Sequence, residues 1–362
     1  MANKIAHPES SIIIRAGEAA RARIAAHGLQ AADVLAVPAA AGGPKGLALG
    51  PLDEWLFGEW LCAPTHNGAP RLLVGSSVGA WRMAAAAQHD AATALRRMRD
   101  GYYAQRYPKK PDGARVALEC GKTAAAALGE APQWDPARRL VVVTARSRGP
   151  IADDASKARM ASAALANAIG RAKLARYFER VIFVPDARTS AEVLRPVVPA
   201  DPFGAHFVDF HAANAQAALL ASGTIPLLAD PVRNPPDAPR GLYWDGGMID
   251  YHLDWHWRAL DGLVLYPHFT DHVVPGWLDK HLPWRRASGK HLDNLVIVSP
   301  SKALLARLPR GKLPDRQDFY HYGLDYDARI AAWRKAIGEC ERMADEFAAF
   351  VRQPDPARVL PL

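Results

Sequence analysis

The chain has 362 residues, of which 49% are hydrophobic and 23% charged, enough apolar material for a large globular core. Its net charge of +8 favours anionic partners, but the basic residues are spread along the chain and no run of them reads as a nucleic-acid arm. Three scattered cysteines (Cys62, Cys120 and Cys340) without a C-x-x-C pair argue against a disulfide framework and a sulfur-ligated zinc site, and no unbroken apolar stretch is long enough for a membrane span.

The expected elements follow in chain order. Residues 1–10 read as a loose polar lead without an apolar signal core, which predicts a cytoplasmic protein. Residues 11–15 are a short apolar run, either an edge strand or a helix start, and 17–27 are rich in Ala and Arg and predict a helix. Residues 34–39 form a β run ending in the glycine-rich turn Ala40-Ala41-Gly42-Gly43-Pro44-Lys45-Gly46. A helix follows over 47–62 and restarts at Pro51, because proline is tolerated in a first helical turn. Leu52, Trp55, Leu56 and Trp60 give it one apolar face. A loop at 63–70 leads to a buried strand at 71–74 and a helix at 80–88, joined by Gly75-Ser76-Ser77-Val78-Gly79.

Residues 96–113 are basic and aromatic and predict an exposed, irregular segment or a mobile flap. A helix is expected at 114–129, a central strand at 140–145, a long Ala-rich helix at 154–176 and a strand at 180–184. An alternating run at 206–210 precedes a helix at 214–222 that Gly223 and Pro226 stop. A short strand at 242–244 feeds Asp245-Gly246-Gly247, strands recur at 262–266 and 295–299, and an amphipathic helix at 326–352 closes the pattern. The Pro-rich piece at 231–239 and the tail after Gln353 read as loops. Strands separated by helices predict an α/β fold, a three-layer α/β/α arrangement with a central, mostly parallel sheet and a C-terminal helical extension.

Three of the turns carry chemistry. A G-x-S-x-G turn between strand and helix leaves Ser77 at the top of a sheet and at a helix N-terminus, where amide dipoles favour developing negative charge. Small residues at Gly75 and Gly79 allow the sharp turn and close packing. Acyl transfer needs a nucleophile, a proton acceptor and donors for the oxyanion. The bare main chain at Gly42 and Gly43 supplies candidate donors; Pro44 has no N–H, and Lys45 adds positive charge or ties down the loop. Asp245 is remote in sequence, so only the fold can bring it to Ser77. A carboxylate within hydrogen-bond reach can accept the serine proton directly.

Other assignments compete. Asp245 followed by His252, His268 or His272 fits the Ser, Asp, His order of α/β-hydrolases, although only one or two strands precede the elbow here. His252/His256 and His268/His272 each have H-x-x-x-H spacing. They lack the adjacent Glu of a zinc helix and read as surface or aromatic-packed side chains. Gly43 to Gly46 lacks the spacing of a phosphate loop. Trp277, Lys280, Trp284, Arg285 and Arg286 mix apolar and cationic groups. They form either a loop packed on the sheet edge or a peripheral contact with an anionic membrane surface.

Four motifs in order resemble the patatin-like phospholipase family, whose pattern is D-G-G-G-x-[RK]-G, G-x-S-x-G, A-S-x-x-x-P and D-G-[GA]. The chain has Ala40-Ala41-Gly42-Gly43-Pro44-Lys45-Gly46, Gly75-Ser76-Ser77-Val78-Gly79, Ala221-Ser222-Gly223-Thr224-Ile225-Pro226 and Asp245-Gly246-Gly247. The resemblance implies a patatin-like catalytic domain over 34–300, an N-terminal lead and helix over 1–33, and a C-terminal helical extension over 301–362 packed on the same domain. It implies a serine acyl hydrolase that cleaves carboxylic esters of lipids, or other acyl esters, through an acyl-enzyme, without metal or cofactor. Ser77 would be the nucleophile, Asp245 its partner in a Ser-Asp dyad, and Gly42 and Gly43 the oxyanion hole. Lys45, Gly46, Gly75, Gly79, Gly246 and Gly247 would support them. Ala40 and Ala41 depart from the family's Asp and first Gly, Pro44 stiffens the loop, and the Asn-x-Pro often seen after the last motif is missing. These departures bear on the oxyanion loop and the substrate, not on the dyad. Outside enzymology, the alternative is a non-catalytic lipid-binding protein on the same fold.

Overall fold

The computed structural model describes residues 9–362; most of the predicted lead lies outside them. The fold is α/β, with helices on both faces of a mixed, mostly parallel eleven-stranded sheet, a three-layer α/β/α arrangement. In chain order the strands are β1 (Ile12–Ala16), β2 (Val34–Ala39), β3 (Arg71–Ser76), β4 (Arg138–Ser147), β5 (Phe178–Val184) and β6 (His206–Asp209). They continue with β7 (Val232–Arg233), β8 (Leu242–Asp245), β9 (Leu263–Pro267), β10 (Leu295–Pro300) and β11 (Val359–Pro361). The main path is β11-β1-β10-β9-β2-β3-β4-β5-β6, with β8 paired to β4 and β7 to β8.

The five strands β10, β9, β2, β3 and β4 run parallel. Covered on both faces, they need near-continuous apolar runs, and every residue of β2, β3, β9 and β10 is buried. The other pairings are mixed: β5 and β8 lie antiparallel to β4, and β1 lies antiparallel to β10. The run at 11–15 is therefore a strand, and it is not an edge. The tail, expected to be loop, contributes β11, which pairs with β1 and covers it.

Several helices differ from expectation for local reasons. The stretch at 47–62 divides into a tight turn Gly43–Leu49, a helix Gly50–Gly58 with Pro51 in its first turn, and a second turn Trp60–Cys62. The helix expected over 154–176 stops at Ile169, where Gly170 is extended, and resumes as Arg171–Leu174. The flap expected over 96–113 is mostly structured. Its first part belongs to helix Ala91–Tyr103, capped by the Asp90 side chain, with Tyr102 and Tyr103 buried. Its last residues, from Pro108 to Asp112, form a continuous exposed stretch before helix Gly113–Leu128 begins. Helix Ala187–Leu194 has no counterpart among the predicted elements; its local signal is the Asp186 cap.

The closing helix Tyr326–Arg352 crosses helix Gly50–Gly58, with the Phe347 ring edge-on to Trp55 and Trp60 at 6.1 and 6.0 Å. Fully buried Arg329 donates to the carbonyls of Tyr103 and Gln105. Trp333 donates to Asp318 at 2.9 Å, which anchors the segment just ahead of the helix against the body of the protein. Among the described residues, no helix is long and apolar enough to cross a membrane.

Candidate active site

One edge of β4 brings the two predicted catalytic residues together. β3 occupies that edge up to the pair Ser76–Val143. There β3 ends in the elbow, and β8 takes over the same edge from the opposite direction, ending at the pair Asp245–Thr144. β5 fills the other edge of β4 over the same residues. Ser77 and Asp245 thus follow two strands that meet head to head at adjacent positions of β4. Register alone makes them neighbours, although the whole middle of the chain separates them.

The elbow is held by close packing. A Cβ at Gly79 would lie 2.0 Å from the Ala39 carbonyl oxygen, and one at Gly75 would lie 2.4 Å from the Ala80 backbone, so neither site admits a side chain. Ser77 adopts φ 58° and ψ −132°, a conformation that ordinarily costs a non-glycine residue about 1–3 kcal/mol and clusters at functional sites. Beneath it, helix Val78–Ala86 is buried along its whole length, and its Arg82 meets Asp53 in a bidentate pair at 2.7 and 2.9 Å.

The A-S-x-x-x-P motif is a clamp on both predicted catalytic residues. Ser222 Oγ accepts the Ser77 N–H at 2.9 Å and donates to the Val143 carbonyl at 2.7 Å. Two residues on, the Thr224 carbonyl accepts the Asp245 N–H at 2.8 Å. The motif was visible in the sequence, but its role depends on contacts with β3, β4 and β8 that no local pattern encodes.

Asp245 is buried, and among the described residues no cation is paired with it. Its Oδ1 accepts the Gly247 N–H at 2.7 Å. The Ser77 hydroxyl lies close enough to favour the ionised carboxylate, without the length and angle of a fully formed hydrogen bond. Burial raises the Asp245 pKa from 3.8 to about 6, while the Ser77 and Gly247 contacts and the charge of Arg316 pull the other way. The shift makes Asp245 a stronger base than an ordinary carboxylate. Gly246 packs against the Val143 carbonyl and Gly247 lies beneath the carboxylate, so both tighten the turn that presents Asp245.

The glycine-rich turn forms the facing wall. Gly43 opens the turn Gly43–Leu49 and Gly42 is its N-cap, so their amides have no acceptor within the turn. The Ala41 amide, in contrast, is bonded to the Tyr251 carbonyl at 2.9 Å. This leaves Gly42 and Gly43 as the free donors and removes the position where the chain carries Ala. Gly43 has φ +56°, which favours glycine, and a Cβ at Gly42 would strike the Phe269 ring. Gly46 is packed against Val78 and Arg82, and the Lys45 ammonium stands 5.2 Å from the centre of the Phe269 ring.

Ser77, Asp245, Gly42, Gly43, Lys45 and Gly247 line one cleft of about 210 Å³. Sequence reasoning missed the rest of its wall: Ile225, Met248, Tyr251, Trp277, Lys280, and Asp315 with Arg316 and Gln317 from the C-terminal segment. Trp277 and Lys280 belong to a loop tethered by buried Asp279, which accepts from Asn167, Arg171 and Arg285, whereas Trp284 is 76% exposed. Among the described residues, no histidine lines the cleft. His252 and His268 pack edge to face with ring centres 4.3 Å apart, and burial pushes both pKa values down, that of His268 to about 3. Their Nδ1 atoms are occupied by the Val274 and Thr270 amides. His272 is paired with Asp271 at 3.1 Å. No cluster of three or more His, Cys, Asp or Glu suited to a metal ion occurs among the described residues. No family model matches the chain, and no curated protein matches it in sequence.

Proposed function

We propose that the protein is a serine acyl hydrolase of the patatin-like type, cleaving carboxylic esters with a Ser77-Asp245 dyad. The observation that carries this reading is the meeting of β3 and β8 on one edge of β4, which sets a strained serine beside a buried, basic carboxylate. In the first step Ser77 Oγ attacks the ester carbonyl as Asp245 takes its proton. The amides of Gly42 and Gly43 hold the oxyanion, a preorganised pair of donors in a partly dry cleft. Collapse expels the alcohol, which takes the proton from Asp245. Water then attacks the acyl-serine as Asp245 takes its proton, and collapse returns that proton to the departing Ser77 Oγ as the carboxylic acid leaves.

The neutral, aromatic-packed His252 and His268, both absent from the cleft wall, favour the dyad over a histidine triad. Hydrolysis of p-nitrophenyl butyrate by the purified chain and its Ser77→Ala variant tests the proposal. The wild type should turn over, and the variant should lose about 10³-fold or more in kcat/KM. Full activity in Ser77→Ala contradicts the reading. A folded wild type that turns over no short-chain ester but binds vesicles favours a lipid-binding protein instead.

A further inference from the structure

Gly42 and Gly43 present amides that have no acceptor within their turn, whereas the amide just before them, on Ala41, is bonded to the Tyr251 carbonyl. Gly42 therefore stands at the boundary between a tethered stretch and a pair of open donors. Neither glycine has a side chain that could pin it, and Gly43 occupies the left-handed region at φ +56°. Donors that await an oxyanion gain their advantage from being in place before it forms, and a displacement of about 1 Å can cost about 10²-fold in rate. Packing from outside the turn has to hold these two.

The segment after β9 supplies that packing. β9 runs parallel to β2 as its neighbour, so the residues that leave β9 come up beside the turn that leaves β2. Phe269 lies just past the end of β9 and is buried. A Cβ at Gly42 would lie 2.4 Å from its Cε1 and 2.9 Å from its Cζ, so the edge of the ring fills the space against the Gly42 main chain. The Lys45 ammonium faces the same ring at 5.2 Å from its centre, which attaches the turn at a second point. On its other sides the ring is confined. His252 meets it edge to face at 5.2 Å, and His268 lies against it at 4.5 Å. The His268 main chain is fixed in turn by its N–H, which donates to the Val298 carbonyl at 2.9 Å. Tyr251, whose carbonyl holds Ala41, stacks on His252 at 4.4 Å. One aromatic cluster thus grips residues 41, 42 and 45, and Phe269 is the member pressed against a donor. It stands behind the cleft wall that Gly42 and Lys45 line.

We infer that Phe269 is a positioning residue of the oxyanion hole. Its ring sets the direction of the Gly42 and Gly43 amides, and position 42 is glycine because the ring occupies the place of a side chain. The inference rests on the hydrolase reading above and adds a residue to that site.

The test exchanges volume between the two positions, with p-nitrophenyl butyrate as substrate. Phe269→Leu should lower kcat and kcat/KM together by at least about tenfold, with KM within about threefold, the pattern of an interaction made only in the transition state. An alkyl trifluoromethyl ketone, whose serine adduct carries an oxyanion, should bind more weakly by a similar factor. Phe350→Leu, which truncates a buried ring of the closing helix, should lose stability and keep its kcat. Gly42→Ala retains its amide but meets the ring, and should lose at least about 10²-fold in kcat. Leucine at 269 lacks the two ring atoms that the new Cβ would strike. The Gly42→Ala/Phe269→Leu double variant should therefore recover at least about tenfold over Gly42→Ala, a coupling that independent losses do not give. Circular dichroism melts establish that each variant is folded at the assay temperature. Should Gly42→Ala fail to fold, Phe269→Leu and its affinity for the ketone decide alone. Wild-type kcat in Phe269→Leu, an equal loss in Phe350→Leu, or additive losses in the double variant overturns the positioning role. Labelling of Ser77 by a fluorophosphonate in that case leaves the hydrolase reading standing. A wild type that neither turns over the ester nor is labelled at Ser77 removes both together.

Discussion

Asp245 and Asp250 stand on the same turn after β8, and both are buried, but they live in opposite environments. Asp250 accepts from Arg180 at 2.6 and 3.0 Å and from the Trp255 indole at 3.0 Å, while Arg180 also bonds Asp201. Among the described residues, Asp245 has only the Gly247 amide bonded to it and the Ser77 hydroxyl nearby. A carboxylate matched by a buried guanidinium ties its segment to the partner's; removing either partner exposes the other as an uncompensated charge. A carboxylate left with neutral donors is driven upward in pKa and becomes a base. Within five residues the chain holds a carboxylate matched by a guanidinium and one that we propose to be reactive, and the distinction lies in what each is paired with.

The sharpest way to break this comparison is to neutralise each carboxylate in turn. Asp245→Asn should lower kcat/KM by about 10²–10⁴-fold, the usual worth of a positioned general base. The same change should stabilise the fold. The folded pKa of about 6 lies above the ordinary 3.8, so the folded state holds its proton more tightly. Ionised Asp245 therefore weakens the fold progressively as pH rises through that window, and Asn removes the penalty. Thermal melts at pH 8 should show a gain of about 2 kcal/mol, and an active or destabilised variant would undo the contrast.

Asp250→Asn should do the reverse. It should cost about 3 kcal/mol of stability, because Arg180 stays buried with only Asp201 to meet it, and molecules that remain folded should keep their chemistry. Denaturant unfolding measures the first and active-site titration the second. A third prediction concerns pH. Because the base form is required, kcat/KM should fall about tenfold per unit below pH 6 and level off above it. A profile set by a group near 7 that vanishes with a histidine variant would point to a triad. The smallest effects should come from the histidines themselves. His268→Gln and His272→Ala should stay within about threefold of wild-type kcat/KM in single-turnover and steady-state assays.

What the sequence made legible follows from the range of each signal. The elbow and the closing helix, expected at 326–352 and observed as Tyr326–Arg352, rest on local glycine placement and helical periodicity. The strands β2, β3 and β10 are continuous apolar runs and need no partner to be recognised. Gly42 and Gly43 emerge as the donor candidates from the proline at 44 alone, and the structure adds that the Ala41 amide is already bonded to Tyr251. What stayed hidden is non-local. The reversal of β5 and β8 against β4, the grip of Ser222 on the elbow, and the cleft wall at 277–280 and 315–317 all depend on which segments meet. The flap expected at 96–113 failed for the same reason. Its tyrosines look exposed in a basic stretch, and tertiary packing against Trp81 and helix Tyr326–Arg352 buries Tyr102 and Tyr103.

The central claim is that Ser77 is a nucleophile activated by Asp245, and a fluorophosphonate probe tests it most directly. Incubated at pH 8 and followed by intact mass and peptide mapping, wild-type protein should acquire one adduct, on Ser77. Ser77→Ala should acquire none, and Asp245→Asn should react at least about 10²-fold more slowly. An adduct at another residue, or labelling of Ser77 at the same rate with Asp245 replaced, would contradict the account.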